Sequence, residues 1–130
     1  SALGAGIQAF ALAQEFWREA DRLAGDATDA VIGPHVPGLM LEAGIDPVAV
    51  HLFPVVVSRL GTPVEGVWRD RRQAVATAAD SLGEPGLRNL AADVTEVLDA
   101  YERAAAEAGP AFVEIQHTML FATIGQRRGR

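Results

Sequence analysis

Histidine is the residue type in this chain best suited to metal binding or proton transfer, and it occurs at His35, His51 and His117. A metal site would need these side chains to converge with a carboxylate such as Glu42 or Asp46. No two histidines stand three or four residues apart, the spacing that places two ligands on one helical face. We therefore expect no metal site, with His35 in a loop and the other two histidines partly buried among apolar residues.

The chain offers no recognisable nucleophile and no nucleotide-binding motif. It has no cysteine, and its only internal serines, Ser58 and Ser81, lie outside any Gly-x-Ser-x-Gly turn. A phosphate-binding loop and a dinucleotide fingerprint are also missing. The sequence therefore predicts a protein that is not an enzyme, with no catalytic residue and no cofactor.

An arginine-rich cluster beside a tryptophan is the remaining candidate for a polar binding site. Arg69, Asp70, Arg71 and Arg72 follow Trp68 directly, and such a cluster could contact an acidic partner. Exposed helical charges more often pair with neighbours on their own helix, at about 0.3–0.5 kcal/mol for each pair. We expect that simpler arrangement here, with Trp68 as a core residue.

Length and charge indicate one acidic domain. The chain has 130 residues and a net charge of −6, which predicts a single domain over 1–125 and a short basic tail at 126–130. The acidic balance argues against nucleic acid and anionic membrane surfaces as partners. No apolar run reaches the ~20 residues of a membrane span, and no signal peptide is visible. The expected location is cytoplasmic, or secreted without such a signal.

A first helix is predicted over 3–32 by a seam of apolar residues at alternating spacings of three and four. Most seam residues are alanine or glycine, so another helix can approach closely, while large side chains such as Phe16 and Leu23 supply apolar area. Gly33 and Pro34 are expected to end the helix. The seam residues predicted to contact a partner are Phe10, Ala13, Trp17, Ala20 and Ala24.

Four prolines between positions 34 and 54 exclude one long helix in the next segment. A short helix is predicted from Pro37 to Gly44. Asp46-Pro47 has the form of an N-cap followed by the first helical residue, so another helix is predicted over 47–60, kinked at Pro54. The β-branched run 55–57 would also suit a strand, but that strand has no obvious partner in the sequence.

Two longer helices are predicted after this segment. Thr62-Pro63-Val64-Glu65 has the pattern of a capping box and predicts a helix over 63–82. The following break is short enough for a helix over 87–108 to fold back as a hairpin. The segment 111–124, apolar on several sides, is predicted to be a last helix. The expected fold class is all-α: a bundle of four to five helices with a central helical hairpin and a proline-kinked segment.

Three short motifs between positions 66 and 107 suggest a family resemblance. They are Gly66-Val67-Trp68, Leu90-Ala91-Ala92 and Tyr101-Glu102-Arg103. In this stretch, about a third of the chain, the sequence resembles the type VII secretion (ESAT-6-like) helical-hairpin proteins of actinobacteria. It departs from their pattern after Trp68, where Arg69-Asp70 stands in place of the x-Gly of a Trp-x-Gly motif, and at Ala105, where an acidic residue would stand. The resemblance implies a secreted or secretion-associated protein that works by helix-on-helix pairing.

Two functional hypotheses follow from these patterns. The first is a non-enzymatic helical interaction protein, homo- or hetero-oligomeric, that pairs through the seam of its first helix. The alternative is a carrier or sensor for a small apolar ligand, held in a pocket between helix 47–60 and the C-terminal segment. The residues predicted to line that pocket are His51, Leu52, Phe53, Val56, Phe112, Met119 and Phe121.

Overall fold

A computed structural model describes residues 1–25 and 32–129 of the chain. The elements in chain order are α1 (Ala2–Ala24), α2 (Val36–Glu42), β1 (Ile45–Leu60), α3 (Glu65–Leu82), α4 (Pro85–Ala108) and β2 (Val113–Arg127). Short 3-10 turns at Gly33–His35 and Gly109–Ala111 precede α2 and β2. The described residues form two compact units, unit 1 with 1–25 and 59–114, and unit 2 with 32–58 and 115–129.

The prediction of an all-α helical bundle is wrong, because the segments 47–60 and 111–124 form strands. β1 and β2 pair as a two-stranded antiparallel sheet. The sequence around 55–57 suits a strand but contains no partner for it nearby. That partner lies more than fifty residues further along the chain, beyond the reach of local sequence patterns. Both segments are rich in Val, Ile, Leu and Phe, which suit a pleated surface.

One extra residue in β1 explains how this strand accommodates two prolines. Two hydrogen bonds lie near the ends of the pair, from Gly61 N to the Phe112 carbonyl and from Arg128 N to the Gly44 carbonyl. From Gly44 to Gly61 is 17 residues, whereas from Phe112 to Arg128 is 16. One extra residue in a strand is typical of a β-bulge. The backbone groups of a strand alternate between facing the partner strand and facing away from it, and a bulge shifts this alternation by one residue.

The two prolines of β1 fix where this bulge must lie. In an antiparallel pair, the backbone groups of every second residue face the partner strand. Pro47 lies three residues after Gly44, which bonds to β2, so the nitrogen of Pro47 points away from β2. Pro54 lies seven residues before Gly61, which also bonds to β2, so its nitrogen points away as well. Both statements hold only if the surplus residue lies between the two prolines. Because proline cannot donate to the ladder, this placement leaves every β1 amide that faces β2 able to bond.

Three helices form the core of unit 1. α1 packs mainly on α4, and α3 packs on α4 from another side. α3 and α4 begin and end within about two residues of the predicted helices, and Gly83, with φ of 69°, ends α3 at the predicted break. The capping box is wrong: α3 begins at Glu65, its N-cap is Val64, and no side chain caps it. The largest buried side chains of this unit are those of Phe16, Trp68, Leu87, Leu98, Tyr101 and Phe112.

α1 is shorter than predicted and turns a different face to the core. It ends at Ala24, where Gly25 adopts a left-handed φ of 68°, and not at Gly33-Pro34; the last part of the predicted helix, 26–31, lies outside the described residues. Gly6 faces α4, where an added Cβ would lie 3.0 Å from the Tyr101 ring. The small residues of α1 therefore allow a close approach within the chain itself.

In the described part of unit 2, one face of the strands is covered and the other is exposed. Ile45, Pro47 and Ala49 alternate as half-buried residues with exposed neighbours. The turn before α2 packs on this half-buried side, with Gly33 against the ring of Phe121, and Met40 of α2 lies beside Gly125. Large apolar side chains are exposed on the opposite side of the strands, namely Val48, Val50, Leu52, Leu120 and Ile124.

We expect Gly33→Ala to destabilise unit 2, because its Cβ would overlap the Phe121 ring. Overpacking of this kind costs about 1–3 kcal/mol of unfolding free energy. Gly38→Ala in α2 is the matched control, since nothing lies within 4 Å of the added Cβ. The control should gain up to about 1 kcal/mol from helix propensity. Urea unfolding followed by circular dichroism measures both; equal stability of the two variants would contradict the close packing at Gly33.

Candidate functional site

The most concentrated polar cluster in unit 1 surrounds the carboxylate of Glu114, whose side chain is 10% exposed. Arg71 donates two hydrogen bonds, from Nη2 to Oε1 at 2.5 Å and from Nη1 to Oε2 at 3.1 Å. Arg59 Nη1 donates to Oε1 at 3.2 Å, and the Tyr101 hydroxyl donates to Oε2 at 2.7 Å. We call these four residues the Glu114 cluster. Its paired geometry with Arg71 is the bidentate form that gives the strongest arginine–carboxylate bonds.

Four different elements supply the members of the Glu114 cluster. Arg59 lies near the end of β1, Arg71 on α3, Tyr101 on α4 and Glu114 near the start of β2. Antiparallel strands place the end of one beside the start of the other, so Arg59 and Glu114 become neighbours. One carboxylate therefore ties both strands to both helices of the hairpin.

Aromatic rings hold the cluster in place on its inner side. Trp68, one turn before Arg71 on α3, lies under the Arg71 guanidinium with 5.0 Å between the guanidinium carbon and the ring centroid. Its ring meets that of Tyr101 edge to face, with centroids 5.0 Å apart. Tyr101 also packs on Phe112, at 5.8 Å between centroids. These contacts restrict the rotamers of both hydrogen-bond donors.

The electrostatics of the cluster keep Glu114 charged and Tyr101 neutral. Burial alone would raise the pKa of Glu114, but the hydrogen bonds from Arg71 and Tyr101, together with the charges of Arg71 and Arg59, hold it below its usual value. The pKa of Tyr101 is raised, first by burial and then by its hydrogen bond to Glu114 and the charge of that carboxylate. Neither group is poised to exchange a proton near neutral pH.

All hydrogen-bond acceptor sites of the Glu114 carboxylate are occupied, which limits the chemistry that the Glu114 cluster could perform. A carboxylate offers about four lone-pair sites, and the two bonds from Arg71, one from Arg59 and one from Tyr101 fill them. No acceptor site is left for a substrate or a metal ion. Across residues 1–25 and 32–129, no group of three or more histidines or carboxylates is arranged to hold a metal. The cluster is a structural clamp.

The arginine-rich cluster at 69–72 pairs differently from the prediction of ion pairs within one helix. Arg71 reaches Glu114, and Arg72 bonds to Asp99 and Glu102 on α4. Arg69 alone pairs within its own helix, with Asp70. The charges of α3 therefore join this helix to α4 and β2, and they stabilise tertiary structure more than helix formation.

Sequence reasoning missed Glu114, although a signal for it existed. Glu114 is the only formally charged residue in 111–124, and Arg59 is the only one in 47–60. Two apolar segments that each carry one charge, of opposite sign, are candidates for pairing, because each charge needs a partner once its segment is buried. Arg71, which interrupts the apolar stripe of α3, is the matching signal on the helix.

The histidines do not converge with the carboxylates named beside them. His35, His51 and His117 are all exposed, so the expectation that two are partly buried does not match their positions. His51 stacks loosely near Phe53, with ring centroids 6.4 Å apart. The arrangement gives no support to a polar site built on them.

The residues predicted to line an apolar pocket are dispersed. His51, Leu52, Phe53 and Val56 are exposed along β1, whereas Phe112 is buried in unit 1. Met119 and Phe121 do line a surface depression of about 370 Å³ in unit 2. Its other described lining residues are Ile32, Gly33, Pro34, Val36 and Leu120.

The residues of the predicted interaction seam lie on two different sides of α1. Phe10 and Trp17 are exposed, at 63% and 40%, and Ala24 is exposed as well. Ala13 is half-buried and Ala20 is buried in the core of unit 1. Leu3 and Ile7 join Phe10 and Trp17 on the exposed side. We call Leu3, Ile7, Phe10 and Trp17 the outer stripe.

No described helix combines the length and the apolar character needed to cross a membrane. α1 and α4 are the longest described helices, with 23 and 24 residues. Both carry charged side chains along their length, such as Arg18 on α1 and Asp93 on α4. The expectation of no membrane-spanning helix is confirmed for the described residues.

We expect Glu114→Gln to destabilise the protein by about 2–4 kcal/mol, because it leaves Arg71 and Arg59 partly buried beside a neutral amide. Glu19→Gln is the matched control: Glu19 forms an exposed ion pair with Arg22 on one helix, and its loss should leave stability almost unchanged. Chemical denaturation at pH 7 measures both variants. A Glu114→Gln protein as stable as the control variant would contradict the clamp.

The stability that Glu114 contributes should depend on pH with a definite sign. Its pKa is lower in the folded protein than in the unfolded chain, so the contribution is complete above the unfolded value of about 4.3 and is lost as the pH falls through the folded value. The difference in unfolding free energy between the wild type and Glu114→Gln should be constant from pH 7 to about 5 and shrink below about 4. A difference that grows on acidification would contradict this assignment.

Comparison with known proteins leaves the chain without an assigned family. The chain matches no known family, no curated protein and no solved structure. The resemblance to type VII secretion proteins stays a prediction, based on the three motifs between positions 66 and 107. Any functional conclusion therefore depends on the geometry of the chain itself.

Proposed function

We propose that the protein is a non-enzymatic interaction protein that self-associates by packing the outer stripe of α1 against the same stripe of a second copy. The observation that carries this proposal is the exposure of Leu3, Ile7, Phe10 and Trp17, between 40% and 75%, on one side of a helix whose other side is in the core. An association with secretion, as the resemblance implies, remains part of the same proposal.

The spacing of the outer stripe suits helix-on-helix pairing. Its members follow one another at steps of four, three and seven residues, which is a heptad pattern with Gln14 at the intervening position. α1 already has its folding contacts through Ala9, Phe16 and Ala20. The outer stripe is therefore not needed for the core, and burying it against a partner would remove a continuous apolar strip from water.

The charge distribution along α1 favours a second copy as the partner. No side chain from Ser1 to Gln14 is charged, and the first charge is Glu15. The chain as a whole carries −6, so two copies repel each other over most of their surface. In an antiparallel pair centred near Phe10, the uncharged stretches 1–14 of the two helices lie side by side. Most of the charged residues near the C-terminal end of each α1 then lie beyond the partner helix. An acidic or basic partner would have no complementary charge to meet there.

The saturated Glu114 cluster supports the non-enzymatic part of the proposal. Its ionisable groups are engaged with one another and serve to join α3, α4 and the strands. The alternative of an apolar-ligand carrier has narrower support, since Met119 and Phe121 are the only members of its predicted lining that border the depression in unit 2.

We expect Phe10→Glu to weaken self-association at least tenfold, because it places a charge at the centre of the outer stripe. Gln8→Glu is the matched control, since it adds the same charge to an exposed position of α1 outside the stripe. Sedimentation equilibrium over a concentration series measures the dissociation constant of each protein. Circular dichroism should give the same helix content for both variants.

Two results would overturn the proposal. One is a wild-type association that Phe10→Glu leaves unchanged, which would show that the outer stripe takes no part. The other is equal weakening by Phe10→Glu and Gln8→Glu, which would assign the effect to general charge repulsion and not to packing at Phe10.

A further inference from the structure

Within residues 1–25 and 32–129, no strand pairs with the outer edge of β2, and neither proline nor a run of charged residues blocks it. The bond from Arg128 N to the Gly44 carbonyl sets the alternation along β2, so even-numbered residues face β1 and odd-numbered residues, such as His117, point their N–H groups outward. β2 contains no proline, and no residue from 115 to 126 is formally charged. Proline and charged residues are the usual means by which proteins block such an edge.

The outer edge of β1, unlike that of β2, is blocked by two prolines. Pro47 and Pro54 both turn their nitrogens outward, on either side of the surplus residue that bends the strand. An added strand would find no donor at either position and an irregular backbone between them. The sheet therefore has one closed edge and one open edge.

We propose that β2 pairs antiparallel with β2 of a second copy, which extends the sheet to four strands in the order β1-β2-β2-β1. A two-fold axis at Leu120, the midpoint of β2, pairs the outward residues from 115 to 125 with one another. Six outward residues on each strand can form about twelve backbone hydrogen bonds, close to the number in a typical protein interface. This interface is separate from the outer stripe of α1 and does not depend on it.

A second copy is the occupant that the surface favours. An antiparallel strand is complementary to itself, because a two-fold axis places each outward donor opposite an outward acceptor. The neutral stretch 115–126 lets two chains of net charge −6 approach without like charges in contact.

The exposed apolar face of the sheet, like the absence of charge in 115–126, favours a second copy as the partner. A two-stranded sheet alone is marginal in water, and unit 2 covers only one of its faces. Pairing at β2 joins the two open faces into one layer, with side chains such as Leu120 and Ile124 of each copy adjacent. Contacts between cross-strand neighbours on one face stabilise an antiparallel sheet.

A cysteine placed on the proposed axis tests the register directly, because the chain has no cysteine of its own. The backbone groups of Leu120 face β1, so the two Leu120 residues across the proposed axis form a non-hydrogen-bonded pair. The Cα atoms of such a pair lie about 4.5 Å apart, a distance that a disulfide can bridge. Leu120→Cys should form a covalent dimer under mild oxidation. Val50→Cys, on the same open face but on β1, should not. Failure of Leu120→Cys, or equal crosslinking of both, overturns the proposal.

A proline substitution tests the edge without adding a thiol. His117→Pro removes an outward N–H and leaves the bonds to β1 intact, so it should weaken the pairing of β2 at least tenfold with little loss of β-structure by circular dichroism. Ser58→Pro is the matched control on the blocked edge of β1, where the nitrogen also points outward, and should have no effect on association. Equal effects of the two prolines would overturn the proposal.

Combining these variants with Phe10→Glu separates the two interfaces. If both exist, sedimentation should give a wild type larger than a dimer, a dimer for each single variant and a monomer for Phe10→Glu with His117→Pro. If Phe10→Glu alone has no effect, the outer stripe fails and β2 pairing stands. If His117→Pro has no effect, or if the wild type is a monomer at millimolar concentration, pairing of β2 with a second copy is refuted and the edge serves a different partner or none.

Discussion

The carboxylate of Glu114, only 10% exposed, joins the elements that meet in unit 1. Its charge is tolerated because two guanidinium groups and a phenol fill its acceptor sites, and those donors come from β1, α3 and α4. Removing a charge from water is costly unless it is paired, so the four elements must meet where Glu114 lies. The Glu114 cluster thereby joins the end of β1 and the start of β2 to α3 and α4 within unit 1.

The helical hairpin could be predicted from the sequence, whereas the strands could not. Apolar residues along α3 and α4 recur with the helical period, and every contact that stabilises a helical turn lies within four residues. β1 and β2 depend on a partner more than fifty positions away. Asp46-Pro47 has the pattern of a helix N-terminus, and it favours a helix more strongly than the β-branched run that follows favours a strand.

The candidate site was predicted in part, and each miss has a physical cause. The prediction of Trp68 as a core residue is confirmed, whereas that of Arg71 on an exposed face is wrong, because helical periodicity considers α3 alone and the partner, Glu114, lies on β2. The seam of α1 was drawn through Phe10 and Ala20 as one face, whereas the helix turns Ala20 inward and Phe10 outward. Phe16, which lies outside the predicted seam, is fully buried and turns the neighbouring Trp17 toward solvent, so it sets the rotation of α1.

The asymmetry between the two edges of the sheet has a consequence for how far assembly can proceed. A strand that can add neighbours on both sides is a template for indefinite growth, the route by which ribbons become fibrils. Pro47 and Pro54 terminate the ladder on the β1 side, so any growth of the sheet by strand addition stops once the β2 side is occupied. Two prolines and the extra residue between them thus leave strand addition at most one edge of this apolar sheet.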